Sequence, residues 1–442
     1  MGWSLGDRFG NHMSKIKTTT LYTLILPVIF LGLAAAFPGC KEPIAKEVEL
    51  EFWGVFDDSD VFKPLIEEFN QVFPKTKIKY YKKTYQTYEK DLLEAMAGDR
   101  GPDVLMLHHT WLPRYEEKIW AAPSDLITLK ELKENFVDVV YDDFVSDGYV
   151  SALPLSVDSL ALFYNKDIFN SAGIPQPPAS WEEFLVDVEK LTIKDERDNI
   201  IRAGATLGTA RNINRSTDIL SLLMLQSGAQ MVNQEKTAAA FDKSVTLNGQ
   251  SFYPGQRALE FYTDFANPTK SAYTWNTRMD YSLDAFVQGK AAMMFNYAYQ
   301  IPDIRAKSAY LNFAIAPMPQ IEATAKKVNY ANYWGLAVSR NCQNYEQAWQ
   351  FIVWLAKKEN AQKYLELAEK PAARRDLVTW QKNEPDLGIF AEQSLTAYSW
   401  YQVDNLAIEQ YLANMIESVI LGQATIKEAV NRAANQVTLL MK

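Results

Sequence analysis

The stretch LPLSVDSLALFYNKD, Leu153 to Asp167, is the part of the sequence around which the fold is organised. It opens as a proline-punctuated strand start, its β-prone apolar residues are typical of a largely buried strand, and a polar turn is predicted at its end. One acid, Asp158, lies in this apolar setting, where a carboxylate is costly to bury without a partner. These residues alone favour an ordinary acid at a strand end. The alternative is an acid that faces a ligand at a crossing between two domains.

The composition describes an acidic chain that is too long for one ordinary core. Its 442 residues make two domains the default. Apolar residues make up 48% and aromatic residues 13%, which is enough for packed lobes with rings left over for a binding surface. The formal net charge of -9 argues against a nucleic-acid partner, because nucleic acids select basic patches. With 3 His and 2 Cys, we predict no metal cluster, no disulfide framework and no cofactor, and an inert buried thiol at Cys342.

The N-terminus is predicted to be an export signal. A basic flank precedes the apolar run Leu21 to Phe37, which ends in small residues. The pair Gly39-Cys40 resembles the lipobox of bacterial lipoproteins, in which the Cys is acylated, although the two residues before it depart from that pattern. We assign residues 1–39 to the signal and 40–47 to a tether, with an uncleaved membrane anchor as the alternative. Either way, the bulk of the protein is expected outside the cytoplasmic membrane.

The region after the tether alternates strand, helix, strand, helix, strand. The spacing predicts strands at Val48 to Val55, Lys77 to Lys83 and Asp103 to Leu107, with two amphipathic helices between them. This is a βαβ pattern with a mostly parallel sheet. Ligands bind outside the carboxyl ends of such strands, which here are Gly54 to Asp58 and His108 to Trp111.

The rest of the chain contains both helices and strands. Ser180 with Glu183, and Thr425 with Glu428, form capping boxes that each begin a helix. The other predicted helices are Asp218 to Leu225, Gly255 to Phe265, Ser282 to Val287 and Glu346 to Ala368. The other predicted strands are Ala291 to Phe295, Asn312 to Pro317 and Trp334 to Ser339.

Several stretches stand in an order that is typical of one protein family. They are Gly101 to Val104, Leu153 to Asp167 followed by Pro177 to Phe184, Ala285 to Asn296, Trp334 to Ser339 and Pro371 to Asp376. From about Val48 to the C-terminus, the chain resembles the family 1 extracellular solute-binding proteins of ABC importers, the group that includes maltose-binding protein. Each motif alone is weak, and their common order makes the resemblance specific.

The resemblance implies an α/β, two-lobed, periplasmic-binding-protein-like (type II) fold with a hinge between the lobes. Lobe 1 would contain residues 48–152 and 335–370, and lobe 2 residues 153–334 and 371–442. The lobes would close on a ligand by hinge motion, which needs no catalytic group. The implied partners are a small solute, the permease subunits and their ATPase, and the membrane through a lipid anchor on a monomer.

The resemblance also implies ligand-binding residues in the second lobe. Asp158 takes the position of a sugar-binding Glu, which favours the ligand role over the strand-end alternative. Tyr299 takes the position of a stacking Trp, with Asn296 and Tyr297 beside it.

In the first lobe the implied residues depart from maltose-binding protein. Thr110 and Trp111 replace a charged, hydroxyl-binding pair, so that a maltodextrin ligand is not supported. Asp57 and Asp58 fall in the first-lobe ligand loop, with Asp58 replacing a Lys.

Further ligand-binding candidates are less specific. They are Trp53, His109, Trp334, Gly335, Arg374, Trp400 and Tyr401. A core position is an equal alternative for Trp53 and Trp334, and a surface role is an equal alternative for Arg374. The two adjacent His side chains point to opposite faces of a strand end, so that at most one is expected to face the ligand.

Aromatic rings and carboxylates together predict a carbohydrate ligand, because rings pack on pyranose faces and carboxylates accept from hydroxyl pairs. The chain is therefore expected to capture a mono- or oligosaccharide and deliver it to a permease, without being an enzyme. One alternative keeps the fold but changes the ligand to a peptide, a polyamine or another small solute. Another is a surface-anchored glycoside hydrolase that uses two of the acids.

Overall fold

The structure is a computed structural model that describes residues 47–247, 249–322, 324 and 326–442. The predicted signal, Cys40 and most of the tether lie outside these residues, and so does the alternative membrane anchor. Within the described part of the chain, no helix combines the length and the apolar character that a membrane crossing requires.

The described chain alternates helices with short strands. The strands are β1 (Val48–Gly54), β2 (Thr76–Lys82), β3 (Val104–His108), β4 (Ile119–Trp120), β5 (Val145–Ser146), β6 (Tyr149–Val150), β7 (Leu153–Pro154), β8 (Asp158–Ser159), β9 (Ala161–Asn165), β10 (Ile193–Lys194), β11 (Ile200–Ala205), β12 (Val245–Leu247), β13 (Gln250–Phe252), β14 (Ala291–Asn296), β15 (Phe313–Ala316), β16 (Asn329–Asn332), β17 (Trp334–Ser339) and β18 (Ala397–Tyr398). The helices are α1 (Ser59–Val72), α2 (Tyr85–Ala97), α3 (Leu112–Tyr115), α4 (Leu129–Asn135), α5 (Asp138–Phe144), α6 (Lys166–Ser171), α7 (Trp181–Leu191), α8 (Ser216–Gln226), α9 (Pro254–Asp264), α10 (Ser282–Val287), α11 (Ile301–Lys307), α12 (Tyr345–Leu355), α13 (Lys358–Ala368), α14 (Arg375–Gln381), α15 (Gly388–Ser394), α16 (Asn405–Ile420) and α17 (Ile426–Leu440).

The first lobe is built on a sheet with the strand order β2-β1-β3-β17-β4, and β7 also pairs with β17. β1 is parallel to both β2 and β3, as the βαβ pattern predicts, whereas β17 returns antiparallel to β3. α1 covers this sheet with Phe62, Leu65, Ile66 and Phe69, which share one face because they recur at helical spacing. The predicted strand–helix alternation is confirmed here.

The second lobe has its own sheet, with the strand order β10-β11-β14-β9-β15. β9 lies inside this sheet, antiparallel to both β14 and β15. A separate hydrophobic core surrounds it, in which α7, α8, α9, α16 and α17 bury their apolar faces. The capping boxes predicted at Ser180 and Thr425 are present and begin α7 and α17.

A third, small sheet in the order β18-β16-β8 lies where the chain passes between the two cores. The stretch from Leu153 to Asp167 is therefore not one continuous strand, because β7, β8 and β9 each belong to a different sheet. Its predicted polar turn is the start of α6, where the Asn165 side chain accepts from the backbone N–H groups of Asp167 (3.0 Å) and Ile168 (3.1 Å). This stretch thus joins the two lobes, and the precise lobe boundaries stay a prediction.

A predicted helix is also wrong. The single helix from Glu346 to Ala368 is two helices, α12 and α13, separated at Ala356 and Lys357. The Asn360 amide donates to the backbone carbonyl of Trp354 at 2.7 Å, so that a terminal carbonyl of α12 is satisfied from the next helix. The spacing of apolar residues does not reveal a side-chain cap of this kind, so the break between α12 and α13 could not be predicted from it. The thiol of Cys342 is buried, and burial raises its pKa, in agreement with the prediction of an inert Cys.

Candidate functional site

A cavity of about 570 Å³ lies between the two lobes and is called the cleft below. The first lobe supplies the segment after β1, the segment after β3, the start of β17 and the end of α13. The second lobe supplies the start of α8, the turn at residues 298–300 and the start of α16. Its lining includes Phe56, Asp57, Tyr85, His108, His109, Thr110, Trp111, Asp158, Arg215, Asp218, Tyr299, Asn332, Trp334, Lys370, Asn405 and Glu409.

The first-lobe wall of the cleft is aromatic. Phe56 is 42% exposed and Tyr85 is 53% exposed, and their ring centroids lie 5.5 Å apart. Trp334 stands next to them, with its centroid 5.5 Å from that of Phe56 and 4.9 Å from that of Trp111. Trp111 is itself buried and stacks on Tyr115, so that it supports the exposed rings from behind. These rings present flat apolar surfaces to any ligand in the cleft.

The acids of the first-lobe ligand loop differ from each other. Asp57 is buried, and its carboxylate accepts from the Tyr364 hydroxyl at 2.8 Å and from the Lys370 ammonium at 2.5 Å. Asp58 is exposed, pairs with Lys82 at 2.8 Å and stands directly before α1 outside the lining of the cleft. Of the two acids predicted to face the ligand, only Asp57 lines the cleft. The ammonium group of Lys370 already compensates its charge.

The second-lobe wall is centred on Tyr299, which is 44% exposed. Its hydroxyl accepts from the Arg215 Nε at 2.8 Å, and its ring stacks on Tyr297 with centroids 5.9 Å apart. Tyr297 in turn donates to Asp218 at 2.9 Å, and the Arg215 guanidinium lies 4.0 Å from the same carboxylate. One exposed ring is thus held by a closed network of polar partners.

Asp158 lies in the crossing strand β8 and is nearly buried. Its Oδ1 accepts from the backbone N–H groups of Ser159 (2.8 Å) and Ala298 (3.1 Å), and its Oδ2 accepts from that of Tyr299 (3.2 Å). Burial raises the pKa of Asp158 to about 7, while these N–H groups act in the opposite direction.

The two adjacent His residues both contribute to the lining, which differs from the prediction that at most one does so. His108 contacts the Thr110 hydroxyl at 2.7 Å and the Asn332 side-chain oxygen at 2.9 Å. His109 stacks on Tyr333 with centroids 4.9 Å apart and planes 6° apart. Burial lowers the pKa of His108 to about 4 and that of His109 well below its usual value, so both are neutral at pH 7. The described residues hold no cluster of metal-ligating side chains.

Trp53, Gly335 and Arg374, which are predicted ligand residues, lie outside the lining of the cleft. Trp53 is buried in the sheet, with the Lys83 ammonium 3.5 Å from its ring centroid. Gly335 is packed so closely that a Cβ there would approach the ring of Phe144 to 2.7 Å. Arg374 donates to the Asp376 carboxylate through two 3.0 Å bonds and to the backbone carbonyl of Ala356 at 3.0 Å, which is a structural role that joins separate segments.

The other predicted residues outside the lining belong to the second lobe. Asn296 is buried, and its side-chain oxygen accepts from the Tyr297 N–H at 3.0 Å, while Tyr297 backs the ring of Tyr299. Trp400 and Tyr401 line a second cavity of about 680 Å³, called the second cavity below. This cavity shares His109, Thr110 and Gln402 with the cleft, and its other lining comes from residues 112–116, 142–146, 225–236 and 398–401.

Sequence reasoning did not identify several residues of the cleft. Phe56 and His108 fall within the predicted strand ends Gly54 to Asp58 and His108 to Trp111, but neither is among the predicted ligand-binding residues. No sequence pattern marks Arg215 or Lys370 as a cleft residue, because Arg215 precedes α8 and Lys370 follows α13, away from the strand ends.

Two α/β lobes around a ring-lined cleft define the class of two-lobed binding proteins. The sequence model of the bacterial extracellular solute-binding protein family matches residues 54–362. The chain belongs to this family, as the resemblance predicted, and the description of the family implies an extracytoplasmic location.

Known relatives and a solved structure agree with this assignment. The chain is 24% identical over 314 residues to the maltotriose-binding protein of Pyrococcus abyssi, covering 70% of this chain and 62% of that one. It is 21% identical over 434 residues to the galactooligosaccharide-binding protein of Bacillus subtilis, covering 96% and 97%. The crystal structure of the cyclic α-maltosyl-1,6-maltose binding protein from Arthrobacter globiformis superposes with a TM-score of 0.75 at 18% identity, covering 89% and 99%. The predicted two-lobed fold class is thereby confirmed.

Proposed function

We propose that this protein is the substrate-binding component of an ABC importer that captures a carbohydrate, either a mono- or an oligosaccharide, in the cleft and delivers it to the permease and its ATPase. The observation that carries the proposal is the pair of opposed walls. Phe56, Tyr85 and Trp334 are available from one lobe, and Tyr299 faces the same cavity from the other lobe. A sugar that packs its faces on these rings would contact both lobes, which is the condition for ligand-driven closure.

The charges in the cleft disfavour an anionic ligand. Lys370 is paired with Asp57, and Arg215 lies beside Asp218, so each of these cations has a carboxylate partner. A phosphorylated or acidic ligand would have to compete with those internal partners. The relatives reported above are named for oligosaccharides, which supports the same ligand class.

The partners of Asp57 and Asp158 favour a receptor over a hydrolase that would use these two acids. Asp57 is bound to Tyr364 and Lys370, and Asp158 is bound to three backbone N–H groups. A glycosidase requires one carboxyl group to donate a proton and another to act as nucleophile or base at the sugar. The partners of Asp57 and Asp158 keep both acids occupied as acceptors, which is a structural function.

We further propose export by the N-terminal signal, lipid anchoring at Cys40 and function as a monomer.

A thermal-shift screen tests the ligand class. The protein from Lys41 onward is heated with mono- and oligosaccharides, and with amino acids, short peptides and polyamines as controls. A ligand present at a hundredfold excess over its Kd stabilises the folded protein by about 2.7 kcal/mol, which raises Tm measurably. A shift confined to one sugar class is expected, and the Trp334→Ala variant should lose it. A shift with polyamines or peptides alone would contradict the sugar assignment, and hydrolysis of the sugar during the assay would contradict the receptor.

A further inference from the structure

The carboxylate of Asp158 has little capacity left for a ligand. An ionised carboxylate offers about four acceptor positions on its two oxygens. Three of these are used by the N–H groups of Ser159, Ala298 and Tyr299, at 2.8, 3.1 and 3.2 Å. The residue is only 9% exposed, whereas Tyr299 is 44% exposed. The acid is therefore directed at the protein backbone, and the ring beside it is directed at the cavity.

The turn that Asp158 holds is the one that presents the second-lobe ring. Asp158 accepts from two successive N–H groups of this turn, those of Ala298 and Tyr299, and the turn leads directly into α11. The other restraints on Tyr299 act on its side chain, through Arg215 at the hydroxyl and Tyr297 at the face of the ring. Asp158 thus restrains the backbone at Tyr299, while Arg215 and Tyr297 restrain its side chain.

The same acid ties this turn to the segments that cross between the lobes. Asp158 lies in β8, where it is paired with Asn332 of β16. Asn332 contacts His108 of the first lobe at 2.9 Å. The crossing strands therefore fix the position of the Tyr299 ring relative to the first-lobe wall that it faces across the cleft.

We propose that Asp158 is a positioning residue, which fixes the backbone at Tyr299 so that the ring meets the ligand in a preorganised position, and that its contribution to affinity passes through that ring and not through a direct bond to the ligand. This proposal rests on the proposed carbohydrate function. A ring that is already ordered loses less conformational freedom on binding, which is the general source of affinity by preorganisation.

A double-mutant cycle tests the route by which Asp158 acts. The Kd of the sugar found in the thermal-shift screen is measured by calorimetry for the wild type, Asp158→Ala, Tyr299→Ala and the double variant. We expect Asp158→Ala to weaken binding by about tenfold in the wild type, a typical effect of removing a charged acceptor, and by less than about twofold when Tyr299 is already Ala. Equal losses in both backgrounds would show that Asp158 contacts the ligand independently of the ring, and would overturn the proposal.

A second measurement needs no ligand, so its outcome is separate from that of the proposed function. Asp158 is the acceptor for the amides of Ala298 and Tyr299, and hydrogen exchange of these two amides reports on those bonds. In Asp158→Ala we expect both amides to exchange at least about tenfold faster. Unchanged exchange would overturn the positioning role even if the protein binds a sugar, whereas failure of every sugar to bind would contradict the proposed function without altering the exchange result.

Two variants guard against a general loss of structure. Asp158→Asn has nearly the same shape and replaces one acceptor oxygen by a donor, so it should speed the exchange of at least one of the two amides and weaken binding in a protein with wild-type circular dichroism. Asp187→Asn removes another partly buried acid, in α7 outside the lining of the cleft, whose pKa burial raises to about 6. We expect this control to leave both the Kd and the exchange of the 298–300 turn unchanged.

Discussion

The cleft and the second cavity both lie between the lobes and have similar volumes, about 570 Å³ and about 680 Å³. In the cleft the rings of Phe56, Tyr85 and Tyr299 are exposed, whereas Trp400 of the second cavity is buried. The cations of the cleft are paired with carboxylates, whereas Asp143 of the second cavity accepts from the hydroxyls of Tyr333 and Ser399. We propose the cleft as the ligand site because its rings are exposed and its cations have carboxylate partners.

The largest expected effect is on the ion pair of the cleft. In Lys370→Met the buried carboxylate of Asp57 keeps the Tyr364 hydroxyl but loses its cation. Breaking one side of a buried pair leaves an uncompensated charge, so we expect the free energy of unfolding to fall by about 3 kcal/mol. Urea unfolding at pH 7 measures this change. The matched control is Lys363→Met, which removes an exposed pair with Glu68 and should cost under about 1 kcal/mol. Equal losses in both variants would contradict the distinction between compensated and surface charge.

A smaller effect is expected from matched rings in the two cavities. Tyr85→Ala removes a 53% exposed ring of the cleft, and Tyr401→Ala removes a ring of the second cavity that lies 5.0 Å from the Lys236 ammonium. We expect Tyr85→Ala to raise the Kd for the sugar by about tenfold, because a stacking ring is lost, and Tyr401→Ala to leave it unchanged. Calorimetric titration of both variants measures the difference. A larger loss of affinity for Tyr401→Ala would reverse the assignment of the two cavities.

The smallest expected effect concerns the dependence of stability on pH. The carboxyl group of Asp143 lines the second cavity and is only partly exposed. Its removal from bulk water raises its pKa to about 7 from the ordinary value of 3.8. Between these two values the folded protein retains a proton that the unfolded chain has released, so the free energy of unfolding falls as the pH rises from about 4 to about 7. The neighbouring charges are Asp142, which acts in the same direction, and Lys236, which opposes it.

In Asp143→Asn this contribution is absent, and the hydroxyls of Tyr333 and Ser399 can rotate to accept from the amide. We therefore expect Tm at pH 8 to rise by about 2 °C relative to the wild type and the difference to vanish near pH 4. A slope remains in the variant, because the pKa of Asp158 is raised in the same direction. Differential scanning calorimetry across this pH range measures the change. A variant that is less stable than the wild type at pH 8 would show that the carboxylate stabilises the folded state.

Much of the architecture could be predicted because it depends on local periodicity. The spacing of Phe62, Leu65 and Phe69 marks the buried face of α1, and the Ser180–Glu183 spacing marks the start of α7. The division of Leu153 to Asp167 into β7, β8 and β9 could not be predicted in this way. β7 and β9 are largely apolar and β8 is the pair Asp158–Ser159, but no periodic pattern in these short strands reveals which sheet each one joins.

The residues of the candidate site also divide into those that could be predicted from the sequence and those that could not. Local periodicity predicted the strand ends that supply first-lobe segments of the cleft, and the family resemblance supplied Asp57, Trp111, Asp158 and Tyr299 as candidates. Only the tertiary structure decided that Lys370 compensates Asp57 across more than 300 residues, that Arg215 holds the Tyr299 hydroxyl, and that Trp400 belongs to another cavity. Hydrogen bonds and ion pairs depend on distances of a few ångströms between segments far apart in the chain, and those distances exist only after each lobe has folded.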